Sequence, residues 1–376
     1  MSKTFETNAL KGKSLAAGMK RRIAELGKYG VTEADLTVME QDADKAIEMI
    51  REVDRLREEV GRKLQEANEQ LNSLRDRAAV YRKIIKQYDP DIAIVHCPNP
   101  FAYPMVRMFT PRHTKVVLHW HSDILEKGHA YNVIRPIEST MLKRANLIVA
   151  TSQRYIDGSK RLQEVKDKVK VLQNGITTAD FNQRPEDAER IEKIRKDYEG
   201  KTILLFVGRL IPYKGVDKLI EAEPFIKNDV QILIAGEGYF GYFYRQYAVG
   251  HDRIKFLGRL SYNEIRQYMW AADIFTFPSI TKAEAFGVAL AEAMYCRCVP
   301  VVFSIEGSGL NWLSLKGETG EEVQLGDVKG YADAIDRLID NEPLRQKYAE
   351  NARNRVIELF SDKAVTETAE RIYSNL

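Results

Sequence analysis

From residue 92 onward, short apolar runs alternate with longer polar and amphipathic stretches, and this rhythm constrains the fold more than any other feature of the chain. Ile92-Ala93-Ile94-Val95, Lys115-Val116-Val117-Leu118 and Leu147-Ile148-Val149-Ala150 are rich in aliphatic and β-branched residues. They read as strands buried on both faces, the signature of a parallel sheet covered by helices. Val133–Arg144, between the last two, has the periodicity of an amphipathic helix. A fourth short strand, Lys170-Val171-Leu172, leads into the turn signal Asn174-Gly175. A polar segment, 177–200, links to a second series of strands at Ile203–Val207, Val230–Ala235, Ile254–Leu257, Ile274–Phe277 and Val299–Phe303. Two such series predict an α/β chain with a pair of Rossmann-type domains. The first is incomplete, with about four strands.

The residues before Pro90 are of another kind, with no Pro, Cys, His or Trp among them. Thr32-Glu33-Ala34-Asp35 reads as a capping box that starts a helix after a stop at Gly30. Beyond it only Gly61 interrupts the pattern before about Gln87. Val60, Leu64, Ala67, Leu71, Leu74, Ala78, Tyr81 and Ile85 recur at alternating steps of four and three, a heptad seam. A helix of about 50 residues is roughly 75 Å long. The earlier segment, with Leu10, Leu15, Met19, Ile23 and Leu26, reaches back along only its first part. The seam therefore needs another surface, either a second copy through residues 34–87 or the body of the protein. The expected domains are a helical hairpin or coiled coil (1–88), a partial Rossmann-like domain (89–180), a second Rossmann-like domain (181–355) and a C-terminal helix (356–376) crossing back to the first.

A length of 376 residues suffices for two cores, and a net charge of +3 is too small to argue for nucleic acid. Cys97, Cys296 and Cys298 form no disulfide framework and no zinc spacing, so a reducing, cytoplasmic setting is expected, with the Cys296-Arg297-Cys298 thiols half-buried. No apolar run approaches 18 residues, so any membrane contact is expected to be peripheral. Lys160, Arg161, Lys166 and Lys168 read as a solvated helix face, with an anionic membrane surface as the competing reading.

Chemistry concentrates where the strands of the second series end. Val207 is followed by Gly208-Arg209-Leu210-Ile211-Pro212-Tyr213-Lys214-Gly215. A buried strand that ends in Gly and then supplies Arg and Lys ahead of a helix can hold a pyrophosphate. Arg forks two oxygens, Lys adds a point charge, and the helix N-terminus adds N–H donors. Glu284-Ala285-Phe286-Gly287-Val288-Ala289-Leu290-Ala291-Glu292 places two carboxylates around a Phe-Gly step, suited to accept hydrogen bonds from sugar hydroxyls. Gly236-Glu237-Gly238, Gly258 and Pro278-Ser279 also follow strand ends, so all are expected in one crevice. The ligand this describes is a nucleotide sugar.

These residues resemble the C-terminal half of the retaining glycosyltransferases of the GT-B fold, the group 1 or family-four type. Val207-Gly208-Arg209-Leu210 with Lys214-Gly215, Ala235-Gly236-Glu237-Gly238, Phe256-Leu257-Gly258, Ala272-Asp273-Ile274-Phe275 through Pro278-Ser279, Glu284-Ala285-Phe286-Gly287 and Glu292-Ala293-Met294 follow the family's order. The resemblance reaches back through Asp91–His96 and His119-Trp120-His121-Ser122-Asp123. Residues 1–88 show none of it: the family's opening strand and Gly-rich loop are replaced by charged helix. By resemblance, Gly208, Arg209, Lys214 and Glu237 bind the donor. Glu284 lies beside the transferred sugar, Glu292 binds the ribose, and Phe286, Gly287 and Val288 present backbone N–H groups. His121 falls where the family places a histidine beside the reacting sugar. The family has Gly where this chain has Arg297, so a positive φ there carries strain.

What the resemblance implies is retaining transfer of a hexose from an NDP-sugar to a glycan or lipid-linked acceptor, without metal or other cofactor. The alternative is a non-catalytic coiled-coil protein carrying a degenerate nucleotide-sugar-binding body. A phosphorylase or synthase of the same fold is a third reading. His119 and His121 are two apart and share a strand face, as a metal pair requires, but no third ligand is evident in the sequence. His96, His113, His129 and His251 read as structural.

Overall fold

Two parallel sheets organise the body of the chain, which runs from Ile85 to the C-terminus as one unit. The computed structural model describes residues 32–72, 74–124 and 129–376. The first sheet holds β1 (Ile92–Cys97), β2 (Lys115–Trp120), β3 (Leu147–Ala150) and β4 (Val169–Val171), in that spatial order. Its neighbours pair in parallel, with Ile92 opposite Lys115 and Val117 opposite Leu147. The second sheet is six-stranded: β5 (Thr202–Val207), β6 (Val230–Ala235), β7 (Ile254–Gly258), β8 (Ile274–Phe277), β9 (Val299–Ser304) and β10 (Glu321–Gln324).

The order in the second sheet is β10-β9-β8-β5-β6-β7. From β5 the chain winds outward through β6 and β7, then returns to lay β8 against the other side of β5 and winds outward again. This is the doubly wound Rossmann order, and its reversal falls between β5 and β8. Every residue of β6 and β8 is buried, and β5 is buried from Ile203 on. Full burial of each Leu, Ile, Val or Phe there contributes about 1.5–3 kcal/mol.

Several expectations need correction. β1 is not buried on both faces. It forms the sheet's edge, and Ile92 and Ile94 are 42% and 50% exposed. β10 was missed because Glu321-Glu322-Val323-Gln324 is a short, mostly polar edge strand. The linking segment is more than a polar connection. Its helix Ala188–Asp197 buries Ile191 and Ile194 in the second lobe's core. Just before it, Asp187 is fully buried and takes a forked pair of hydrogen bonds from Arg266 at 2.8 and 2.9 Å. Those bonds hold its carboxyl down at about 2. Arg161 is neither solvated nor free to face a membrane: it is buried, with Nε 2.6 Å from Glu138. The thiols of Cys296 and Cys298 are fully buried rather than half-buried, and burial pushes both up.

The last helix, Asp362–Tyr373, lies on the first sheet. Val365, Ala369, Ile372 and Tyr373 pack on Val117, Leu147, Val149 and Leu172. The lobes also meet at the carboxyl ends of their strands. Lys282 Nζ lies 3.1 Å from Asp123 and 3.2 Å from the Gly158 carbonyl. Thr151 donates to the Ala285 carbonyl, and Arg154 to that of Asn311. Gly158 and Gly307 touch backbone to backbone: a Cβ on Gly158 would come within 2.4 Å of Gly307 Cα, so no larger residue fits.

The N-terminal region forms a separate unit through Ile84, with helices at Glu33–Asn72 and Leu74–Tyr88. The capping box forms as expected: Asp35 N–H donates to Thr32 Oγ1, while Thr32 N–H and hydroxyl both donate to Asp35. Leu36, Ala43 and Ile47 are buried on the first helix. The residues around Gly30 and the segment expected to fold back lie outside the described residues. So do the side chains of the seam from Val60 to Leu74. Of its later members, Ala78 and Tyr81 are half-buried and Ile85 is buried.

Arg297 has the positive φ that its position suggested, +69°. Its guanidinium pairs with Glu350 at 2.6 Å, but both side chains are about half exposed, so the pair offsets little of the backbone strain. Arg297→Gly is expected to raise stability by about 1 kcal/mol. Urea denaturation checks this; an unchanged or lower midpoint contradicts it.

Candidate active site

The reversal of strand order opens a crevice past the ends of β5 and β8, and two loops fill its floor. The chain leaves β5 through Gly208 and Arg209, then makes a 3-10 turn over Pro212–Lys214. Gly215 closes that turn at φ +66°, where a Cβ would lie 2.0 Å from the Pro278 carbonyl oxygen. Only glycine lets the two loops approach this closely. They are laced together by the Ile280 N–H donating to the Tyr213 carbonyl at 2.9 Å.

Lys214 and Glu284, seventy residues apart, meet in this floor with Nζ and Oε2 separated by 2.5 Å. Each side chain is about one-tenth exposed. The same carboxylate oxygen accepts from Ser279 Oγ at 3.1 Å, and the ammonium lies 4.6 Å from the Phe277 ring centroid. One N–H of the ammonium serves Glu284, which leaves two for an anion. The Glu284 backbone is held as well, its carbonyl accepting from the Ser308 hydroxyl.

A cavity of about 400 Å³ adjoins this floor, lined by Gly208, Arg209, Gly236, Glu237, Arg259 and Ile265 among others. Arg209 is exposed, and its Nη2 lies 3.3 Å from the Tyr213 hydroxyl. Glu237 is exposed too, and its carbonyl accepts from the Leu210 N–H. Thus Gly208, Arg209 and Glu237 share one cavity, while Lys214 and Glu284 form the ion pair in the floor.

Downstream, Gly287 caps the helix Val288–Tyr295 with φ +94°. The Phe286 side chain is buried, edge-on to Phe360 at 5.5 Å, so it serves the core and leaves only backbone for a ligand. Val288 is exposed at the first helical position. Glu292 lies one turn into the helix, and burial pushes its carboxyl up to about 7.

His121 lies in the other lobe, one residue past the end of β2. Asp123, two residues on, binds Lys282, which is two residues before Glu284, so the interlobe contact joins the segments carrying both groups. His121 Nε2 is 2.8 Å from His96 Nδ1, and burial, then the neighbouring His96, lower its basicity. His119 is held at about 4, chiefly by burial. His96, read as structural, lies edge to edge with His121, the ring centroids 5.1 Å apart and the planes within 5°. The signal was present in the spacing, because His96 and His119 each sit four residues beyond the start of their strand and are register partners. Ser279 was marked by its place after a strand end, whereas Arg259 and Lys282 carried no motif signal of their own.

Two lobes of parallel sheet facing across a crevice, with the reversal between β5 and β8 at its floor, define a GT-B-like fold. The model of the group 1 glycosyl transferases matches residues 187–355, and that of glycosyltransferase family 4 matches residues 16–180. The chain belongs to the group 1 glycosyltransferases. The second match corrects one expectation: it begins at residue 16, so the helical region read as outside the family falls within it. The recognisable motifs sit at strand ends, and a helical region offers none. Among relatives, the chain is 27% identical over 291 residues to the O-antigen chain mannosyltransferase C of Escherichia coli, covering 77% of this chain and 76% of that protein. It is 29% identical over 275 residues to the D-rhamnosyltransferase WbpZ of Pseudomonas aeruginosa, covering 73% and 70%. Among solved structures, Anabaena HepE in complex with UDP superposes with a TM-score of 0.68 at 22% identity, covering 80% of this chain and 82% of that one. Sucrose-phosphate synthase of Thermosynechococcus elongatus gives 0.66 at 19%, covering 81% and 78%.

Lys214→Met strands the Glu284 carboxylate in the floor, at an expected cost of about 3 kcal/mol. The double variant Lys214→Met/Glu284→Gln is expected to cost less than this single one. Denaturant titration of both checks the coupling; equal or additive losses contradict it.

Proposed function

We propose that this glycosyltransferase moves a hexose from an NDP-sugar to a glycan or lipid-linked acceptor in surface-polysaccharide assembly, with retention at the anomeric carbon. The observation that carries the reading is the meeting of Lys214 and Glu284 in the crevice floor, beside the cavity that holds Arg209. A cation and a carboxylate at a Rossmann reversal suit a ligand that is anionic at one end and hydroxylated at the other. The names of the two relatives, a mannosyl- and a rhamnosyltransferase, support a hexose-type sugar and a polysaccharide product. HepE, which shares this fold, is solved in complex with UDP, and that supports a nucleotide-bearing ligand.

In this scheme Arg209 forks the diphosphate, and Lys214 gives its two remaining N–H donors to the same group. The backbone N–H groups of Gly287 and Val288, at the start of their helix, face the developing charge. Glu284 orients the sugar hydroxyls and offsets positive charge at the anomeric carbon as it becomes oxocarbenium-like. The departing phosphate oxygen takes the acceptor proton on the same face, so no protein nucleophile and no metal are needed. His121 orients the sugar. Glu292 accepts from the ribose hydroxyls, and Glu237 borders the nucleotide cavity.

Calorimetry with nucleotide sugars tests the donor site. Arg209→Ala is expected to weaken binding at least tenfold, about 1.4 kcal/mol, with little cost in stability, because the guanidinium is exposed and its partner among the described residues is the Tyr213 hydroxyl. Unchanged affinity contradicts the diphosphate assignment. The anomeric configuration of the product, read by NMR, tests retention.

Glu292 makes affinity depend on pH. Its carboxyl, ordinarily at 4.5, is raised to about 7, so folding favours the protonated form and some stability is lost as pH rises through 7. Ribose hydroxyls donate best to the ionised form, so donor affinity is expected to rise over the same interval. Glu292→Gln should flatten that rise; a wild-type profile level from pH 6 to 8 contradicts the ribose role.

A further inference from the structure

At the carboxyl ends of β1 and β2, three imidazoles converge. His96 and His119 are register partners on adjacent parallel strands, so their backbones are fixed at the strand spacing of about 4.8 Å. His121 follows directly, its N–H tied to the Cys97 carbonyl at 2.9 Å. One nitrogen from each ring lies within 4.8 Å of the other two, and the ring centroids are 4.6–5.1 Å apart.

The arrangement is poorly satisfied by protons. His96 Nδ1 and His121 Nε2 share one hydrogen bond of 2.8 Å. His119 Nε2 is buried and has no hydrogen-bond partner among the described residues. No carboxylate or thiol belongs to the group, so nothing in it offsets the charge of an imidazolium. Three imidazoles on one tetrahedral ion at 2.0–2.1 Å each need nitrogens about 3.3 Å apart. The observed nitrogens span 2.8 Å to at most 4.8 Å, and because His96 and His121 meet head-on in their hydrogen bond, both rings must turn to aim at one ion.

We propose that His96, His119 and His121 form a site for a borderline divalent transition metal such as Zn²⁺ or Co²⁺, with a fourth coordination position open. An all-imidazole set suits these ions and disfavours Mg²⁺ and Ca²⁺, which take oxygen ligands. The proposed transfer chemistry does not need the ion. Its consequence for turnover rests on the place given to His121 under the proposed function: a ring held by metal is withdrawn from the sugar, so the ion inhibits.

Titration of the full chain, free of any polyhistidine tag, with Co²⁺ tests the site through the visible absorption of the bound ion. One Co²⁺ per chain is expected, with tetrahedral-type bands. His96→Ala and His119→Ala should each weaken binding at least tenfold, while His113→Ala, whose ring pairs with Asp89, leaves it unchanged. Absence of saturable binding overturns the proposal, as does wild-type affinity in both ligand variants. His96 is exposed, so its replacement separates ligand loss from misfolding, with circular dichroism as the check. A second readout keeps the two readings apart. Saturating Co²⁺ is expected to slow release of nucleotide from a donor panel. Stoichiometric binding with undiminished turnover leaves the metal site standing and overturns the place of His121 beside the sugar.

Discussion

The contact between Lys214 and Glu284 depends on the reversal of strand order between β5 and β8, and the crevice depends on both. In a doubly wound sheet the loops after neighbouring strands normally diverge to opposite faces only at the reversal, leaving a gap there. This chain closes the base of that gap. Gly215 passes against the Pro278 carbonyl, Ile280 hydrogen-bonds Tyr213, and a buried ammonium meets a buried carboxylate. A buried ion pair gains stability only when its geometry and remaining hydrogen bonds are good. Here Ser279 supplies a further donor and Phe277 an aromatic face, so the pair is supported from several sides.

The first lobe is held to this floor by polar contacts at its rim. Lys282 bridges Asp123 and the Gly158 carbonyl, Thr151 and Arg154 donate to second-lobe carbonyls, and Gly158 and Gly307 pack without side chains. Asp123 is itself fixed by Trp120 Nε1 and Ser159 Oγ. The segment after β2 is thereby tied to the segment that carries Glu284. The C-terminal helix adds an apolar clasp by lying on the first sheet after the chain has completed the second.

Much of the α/β body was legible because fully buried parallel strands leave continuous apolar runs. β3, β6 and β8 fell at the expected residues, and β2, β5, β7 and β9 within two residues. The failures share a cause. β1 and β10 lie at sheet edges, where one face or one end meets solvent and the run is weakened or polar. Arg161 looked like a surface charge, and Asp187 lay within a segment read only as a polar link, because a sequence shows charge but not the partner that permits its burial. At the site, the glycine-punctuated strand ends marked Gly208, Lys214 and Glu284 without difficulty. The proximity of His96 to His119 and His121 was not legible in either segment alone because it comes from the pairing of neighbouring strands.

By itself the sequence determined the buried strands, the start of the first described helix and which loops carry charge, since those follow from local periodicity and the chemistry of neighbouring residues. The positive φ at Arg297 was anticipated only through the resemblance to a family that has Gly there. Only the tertiary structure decided that Lys214 neutralises Glu284, that Glu292 is buried enough to hold its proton near neutrality, and that three histidines share one space. Each of these depends on distances between residues remote in the chain, or on how much water is excluded. Both are set by strand order and packing, which no local pattern encodes.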